Sequence, residues 1–171
     1  MLAKYPSFED RLPQTCLQEL EQVFQTRVAT KGEILFAQDA PPKQLFLVRR
    51  GCAKVVVDTS CGRGVVAELL FTGDLCGVTC TFLEERYPVS AICVQNTEVA
   101  TIDKALFSQL GAKYPALWIA GLASCHAKHK QQREMLASMA VETVRQRTIR
   151  ILLFLASRFG KRIGNEVFFT M

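Results

Sequence analysis

The sequence predicts an α+β fold: a double-stranded β-helix (jelly roll) flanked by helices and followed by one long helix. Three observations carry that prediction. Between Lys31 and Ile102, short β-type runs alternate with turn residues at even spacing. Even spacing without intervening helices points to a roll or barrel rather than a βαβ sheet. After Pro115 the chain then runs to about Val141 with Gly121 as its only breaker.

Residues 1–29 read as mostly helical. Pro13 and Thr15 open a stretch in which Leu17, Leu20, Val23 and Phe24 recur at helical spacing, with Glu19 and Glu21 on its wet side. The expected strands are Glu33–Ala37, Gln44–Arg49, Ala53–Asp58, Gly64–Leu70, Ser90–Val94 and Glu98–Asp103. Their punctuation is Pro41-Pro42, Gly51, Cys61-Gly62-Arg63-Gly64, Gly73-Asp74 and Gln95-Asn96. Asp103–Leu110 reads as a short helix stopped near Gly111, and Pro115 suits the first turn of the next.

On that long helix, Trp118, Leu122, Cys125, His129, Gln132, Leu136 and Met139 follow a 4-3-4-3 spacing. This is a heptad seam. It serves either dimerisation or packing on the chain's own roll, and the helix's length favours dimerisation. A further helix is expected over Val144–Phe159, with Ile151, Leu152 and Leu155 on an apolar face and Arg145, Arg147, Arg150 and Arg158 on a basic, solvated one. Gly160 is its stop, and a short strand comes next at Glu166–Phe169. One helix and one strand do not make a domain, so this segment reads as the beginning of another.

Composition sets outer bounds. A chain of 171 residues with 49% hydrophobic content suffices for one core plus an appendage. The net charge of +5 suits nucleic acid as a partner without requiring it. Seven cysteines, an odd number with no CxxC, read as reduced thiols, most of them small buried hydrophobes. Tyr5, Pro6 and charges stand where a signal peptide would be apolar, and no run is long enough to cross a bilayer. The expected location is cytoplasmic, with no membrane partner.

Five segments in order resemble the CRP/FNR family of bacterial transcription regulators: KGEILF (31–36), LFLVRRG (45–51), GDLCG (73–77), SAICVQNTEVATIDKALFSQL (90–110) and VRQRTIRILLFLA (144–156). The resemblance implies a cyclic-nucleotide-binding-like sensor domain over 1–111, a dimerisation helix over 112–143, and the start of a winged helix-turn-helix over 144–171. It implies a homodimer, a small-molecule or gas effector, and DNA bound in the intact protein through a recognition helix beyond Met171. An effector would act by biasing the dimer between two arrangements of a hinge near Ser138–Val144.

The resemblance also locates an effector pocket: Gly77, Val78, Thr79, Cys80, Val89, Ser90 and Ala91 on the roll, and His129, Gln132 and Arg133 on the long helix. Members that bind cyclic AMP carry a Glu where this chain has Val78 and an Arg where it has Val89. A buried phosphate anion needs a cation or strong donors, so both substitutions argue against cyclic AMP. Arg86 stands in the turn before the strand. Only Cys16 precedes the roll, and Ala100 falls where a fourth cysteine would, so the iron–sulfur pattern of the FNR branch is not matched.

Two sensing chemistries remain open. Haem, reporting CO or NO, would need an axial ligand such as Cys76, Cys80 or His129. Thiol redox sensing would draw on Cys76, Cys80 and Cys93. The alternatives outside this class are an interaction module and a cupin-like enzyme. Cupin metal sites need histidines on the strands, and this roll has none, so no catalytic or metal-ligating set is assigned and no enzyme is expected.

Overall fold

The computed structural model describes residues 6–59, 61–159, 161–163 and 166–168, with side chains through residue 156. They fall into two compact units, one of Tyr5–His129 and the other containing the chain from Lys130 onward.

In the first unit, a 3-10 turn at Glu9–Arg11 and helix α1 (Gln14–Val23) precede β1 (Gln25–Ala29), β2 (Ile34–Phe36), β3 (Gln44–Arg50), β4 (Cys52–Asp58), β5 (Gly64–Phe71) and β6 (Leu75–Cys76). Helix α2 (Val78–Leu83), β7 (Ser90–Cys93), β8 (Thr97–Asp103) and α3 (Lys104–Lys113) come next, and then α4 (Pro115–Val141). The strands form two antiparallel four-stranded sheets, ordered β1-β8-β3-β6 and β2-β7-β4-β5. This is the expected roll, although the sheets do not close into a barrel among the described residues.

Two cores share one wall. Strand β3 is an unbroken apolar run because both its faces are buried. Phe46 and Val48 point between the sheets with Phe36, Val55, Leu70, Ala91 and Val99. Leu45 and Leu47 point the other way, into a core with Phe8, Leu20, Ile102, Phe107, Leu117 and Ala120, which lies under the helices. Each such leucine contributes about 1.5–3 kcal/mol by leaving water. Arg49, at the end of β3, ties the N-terminal segment down by ion pairs to Glu9 (2.5 Å) and to Glu21.

The structure corrects three expectations. Residues 25–29 are strand β1, not helix; they pair with β8 from Gln25–Thr101 to Ala29–Thr97. Four of the five side chains in this edge strand are exposed, so no apolar alternation marks it in the sequence. Helix α3 runs through Gly111 to Lys113. Gly111 is a contact residue rather than a stop: the Trp118 indole lies where its Cβ would be. No strand is expected between Leu70 and Ser90, yet Leu75–Cys76 form one, β6, paired with Phe46 and Leu47.

The second unit holds the end of α4, helix α5 (Val144–Phe159) and a hairpin of β9 (Lys161–Ile163) and β10 (Glu166–Phe168). The expected stop at Gly160 and the last residue of the expected strand, Phe169, lie outside the described residues. Thr143 and Gln146 form a reciprocal capping box at the start of α5: the Gln146 amide donates to Thr143 Oγ1 (3.3 Å) and the Thr143 amide to Gln146 Oε1 (2.9 Å). Arg150 is no solvated arginine. Its guanidinium bonds Glu142 (3.1 Å) and the buried Ser138 hydroxyl, bracing the α4–α5 joint.

Gly111→Ala should lower stability by about 1–3 kcal/mol, because a methyl group there displaces Trp118 from a packed site. Urea unfolding of the variant checks this; an unchanged midpoint would refute the packing role of Gly111.

Candidate functional site

The site is built on the Gly73-Asp74 turn and the β6–α2 segment that leaves it. Asp74 Oδ2 accepts the Phe71 amide at 2.8 Å, and the Val48 amide donates to the Asp74 carbonyl at 3.1 Å. The turn thereby fixes where β6 leaves for α2. Gly77 opens α2 with φ +94°, a conformation that favours glycine, and a Cβ there would stand 3.4 Å from the Gln44 carbonyl. Thr81 and Tyr87 both donate to that same carbonyl, at 3.1 and 2.9 Å. They hold α2 and the loop after it against β3.

Apolar contacts surround three of the positions that the sequence marked, Val78, Val89 and Ala91. Val78 is buried, and a Cβ on Gly121 of α4 would lie 3.5 Å from its Cγ1. Val89 packs against the core between the sheets, and Ala91 is within it. Ser90 is committed to the fold, accepting the Gln38 amide at 2.9 Å. Arg86 donates to the Asp39 carbonyl at 2.6 Å. Thr79 is exposed and Cys80 half-buried. His129 is exposed at the end of the first unit, while Gln132 (half-buried) and Arg133 (exposed) belong to the second.

Helix α4 shows why its seven-residue seam divides. Its inward stripe is Leu117, Ala120, Gly121, Ser124 and Lys128. The predicted seam lies one position later, about 100° round the helix. Trp118 and Cys125, at its near border, pack on the unit's own core. Trp118 meets Phe82 of α2 and Phe107 of α3 edge-on, with ring centroids at 4.8 and 5.2 Å. Leu122, Leu136 and Met139 remain exposed, at 64%, 66% and 51%.

Sequence reasoning missed a charged cluster in this region. Lys128 points from α4 onto the sheet, and its ammonium bonds Asp74 Oδ2 (2.6 Å), Glu68 Oε1 (3.1 Å) and the Leu69 carbonyl (3.1 Å). All three side chains are largely buried. Burial pulls the Lys128 pKa down, but Asp74 and Glu68 more than offset it, so the ammonium stays charged. Burial raises the Glu68 carboxyl, and Lys128 offsets only part of that rise. A signal did exist: Glu68 shares a strand face with buried Leu70, and Lys128 shares a helix stripe with Leu117 and Gly121.

The thiols divide by environment. Burial pushes up Cys76, Cys80, Cys93 and Cys125, with Glu68 adding to the effect at Cys76, Cys80 and Cys125. Cys52 is raised by burial to about 11. Cys93 is influenced by Thr97, Glu33 and Arg27, whereas Cys76 is influenced by Cys80. Exposed Cys61, in the β4–β5 turn, is lowered by a hydrogen bond with the Thr59 hydroxyl at 3.0 Å. Among the described residues, no three His, Cys, Asp or Glu side chains are grouped to hold a metal ion.

The comparisons agree with this architecture. The sequence pattern of the cyclic nucleotide-binding domain matches residues 26–114, just over half of the chain. The transcriptional activator protein anr of Pseudomonas aeruginosa is 28% identical over 142 residues, covering 83% of this chain and 58% of that protein. The chain thus spans little more than half the length of this relative. The c-di-GMP-responsive global regulator CLP of Xanthomonas campestris superposes with a TM-score of 0.73 at 17% identity, over 84% of this chain and 72% of that one. The catabolite activator protein of Thermus thermophilus gives 0.67 at 22%, over 86% and 70%.

Two measurements check the site's chemistry. Iodoacetamide at neutral pH should label exposed Cys61 first and half-buried Cys76, whose thiol burial pushes up, much more slowly; peptide mapping that found the two labelled equally fast would contradict this ordering. The Lys128 pKa is higher folded than unfolded, so its ionic contribution is complete below the ordinary lysine value of 10.5 and is lost as pH rises through the folded value. The melting-temperature gap between wild type and Lys128→Met should therefore be level across neutral pH and narrow only above that value.

Proposed function

The chain belongs to the cyclic nucleotide-binding domain family, among regulators of the CRP/FNR type, and from that we propose that it is the effector-sensing and dimerisation portion of a bacterial transcription regulator whose ligand is not cyclic AMP. One observation carries the second half of that reading. The two positions that would hold the ribose and the cyclic phosphate are Val78, buried in one core, and Val89, half-buried against the other. Two cations of the first unit are engaged by the protein itself. Arg86 is turned to the Asp39 carbonyl, and all three Lys128 donors are engaged. A cyclic phosphate buried there would lack the partner its charge requires. A neutral small molecule or a gas meets no such penalty.

Residues 144–171 begin a winged helix-turn-helix, and DNA is bound by the intact regulator. Leu122, Leu136 and Met139 form the exposed part of the seam on which two copies pair. The Arg150 brace to Glu142 and Ser138 marks the joint through which a change in pairing reaches the DNA-binding segment. Cytoplasmic residence accords with that role; no helix among the described residues is long and apolar enough to cross a membrane.

A haem-based version of the sensor would use Cys76, Cys80 or His129, of which His129 is exposed and the two cysteines are half-buried. Thiol sensing is the weaker reading, because burial keeps Cys76, Cys80 and Cys93 protonated and the thiolate is the reactive form. The relatives are transcription regulators, which weighs against an enzyme.

Calorimetric titration with cyclic AMP should give no binding heat; micromolar affinity would overturn the pocket reading. A Soret band shifting with CO after haem titration would select the haem version. Leu122→Glu with Leu136→Glu should convert a dimer to monomer in sedimentation at tens of micromolar; a wild type that is already monomeric there would remove the seam.

A further inference from the structure

We propose that Lys128 is an internal latch, holding the first half of α4 on the roll with no bound molecule present. An ammonium has three donors, and here each has an acceptor: Asp74 Oδ2 at 2.6 Å, Glu68 Oε1 at 3.1 Å and the Leu69 carbonyl at 3.1 Å. Lys128 is therefore saturated by the protein itself and is not an anion receptor. Its three acceptors come from β5 and from the turn that leads through β6 to α2. Asp74 Oδ2 also accepts the Phe71 amide, so the latch closes on an atom that shapes the turn.

The other contacts holding this stretch of α4 are small. Gly121 meets Val78, Ala120 enters the core under the helices, and the Ser124 hydroxyl is returned to its own helix at Ala120. Below Leu117 and Trp118, the inward stripe offers no large apolar side chain except half-buried Cys125. Small side chains allow the helix to approach closely but supply little apolar area to hold it there. The ionic contact holds it at the far end. Moving the helix off the sheet would strip Glu68 and Asp74 of their common cation while both remain partly buried, and that penalty opposes the movement. The proposal rests on these contacts and needs neither the sensor reading nor the identity of an effector.

Hydrogen–deuterium exchange on the ligand-free chain tests it. Lys128→Met should speed exchange by at least about tenfold in the amides of 121–129 and of Glu68–Phe71, while His126→Ala, an exposed site on the same helix, leaves them unchanged. If the single variant fails to fold, Lys128→Met with Glu68→Gln carries the measurement, since it leaves position 68 uncharged. A direct readout needs no variant: in protein labelled with 15N-lysine, the Lys128 ammonium should give a resolved, exchange-protected signal at neutral pH. Wild-type exchange in whichever variant folds, or an ammonium that exchanges as fast as those of exposed lysines, overturns the latch. Failure of the cyclic AMP or dimer experiments leaves these outcomes unaffected.

Discussion

Burial of β3 on both faces is the constraint on which the other elements depend. Because Phe46 and Val48 serve one core and Leu45 and Leu47 the other, the sheet is a wall that must be covered twice. The second sheet covers one side. On the other, α1, α3 and the first half of α4 are drawn in, because Phe107, Leu117 and Leu20 are fully buried only there. The triangle of Phe82, Phe107 and Trp118 then locks α2, α3 and α4 to one another. The first half of helix α4 is thus seated on the wall by packing within its own unit.

Within that frame the segments around α2 and β7 are held by packing and backbone hydrogen bonds. Val78 and Val89 complete cores, Ser90 holds a backbone amide, and Arg86 is turned to a carbonyl. What charge remains is arranged inward, in the trio of Lys128, Glu68 and Asp74. Removing one member of a buried ion pair costs about 3–5 kcal/mol when burial is complete, less where, as here, water retains some access. A region built this way is a poor receptor for a free anion. It is well suited to keeping the first half of α4 in a defined relation to the roll.

The joint between α4 and α5 obeys similar logic in the second unit. Capping by Thr143 and Gln146 starts α5 cleanly after the short break, and Arg150 reaches back to Glu142 and Ser138. A basic residue that looks like part of a solvated face is consumed by the geometry of the turn. The exposed apolar side chains of α4 and α5, Leu136, Met139, Ile151 and Leu152 among them, are left for other surfaces to cover.

How much of this was legible depends on the range of the forces involved. Six strands, two long helices and the roll topology could be read directly, because apolar period, Gly and Pro positions and turn chemistry act over a few residues. The apolar residues at positions 78 and 89 were also visible in the sequence. Strand β1 was not, since an edge strand with four exposed side chains carries no local pattern. Nor was the true role of Gly111, set by an indole seven residues on, or the division of the α4 seam. A one-position shift round a helix separates Leu117 and Gly121 from Trp118 and Leu122, and only packing selects between such stripes. The sequence alone determined the family and placed apolar Val78 and Val89 along the chain. Tertiary structure decided that Lys128, sixty residues along the chain from Glu68, is where the remaining charge is gathered, because ion pairing depends on distance in space and leaves no trace at short range in the chain.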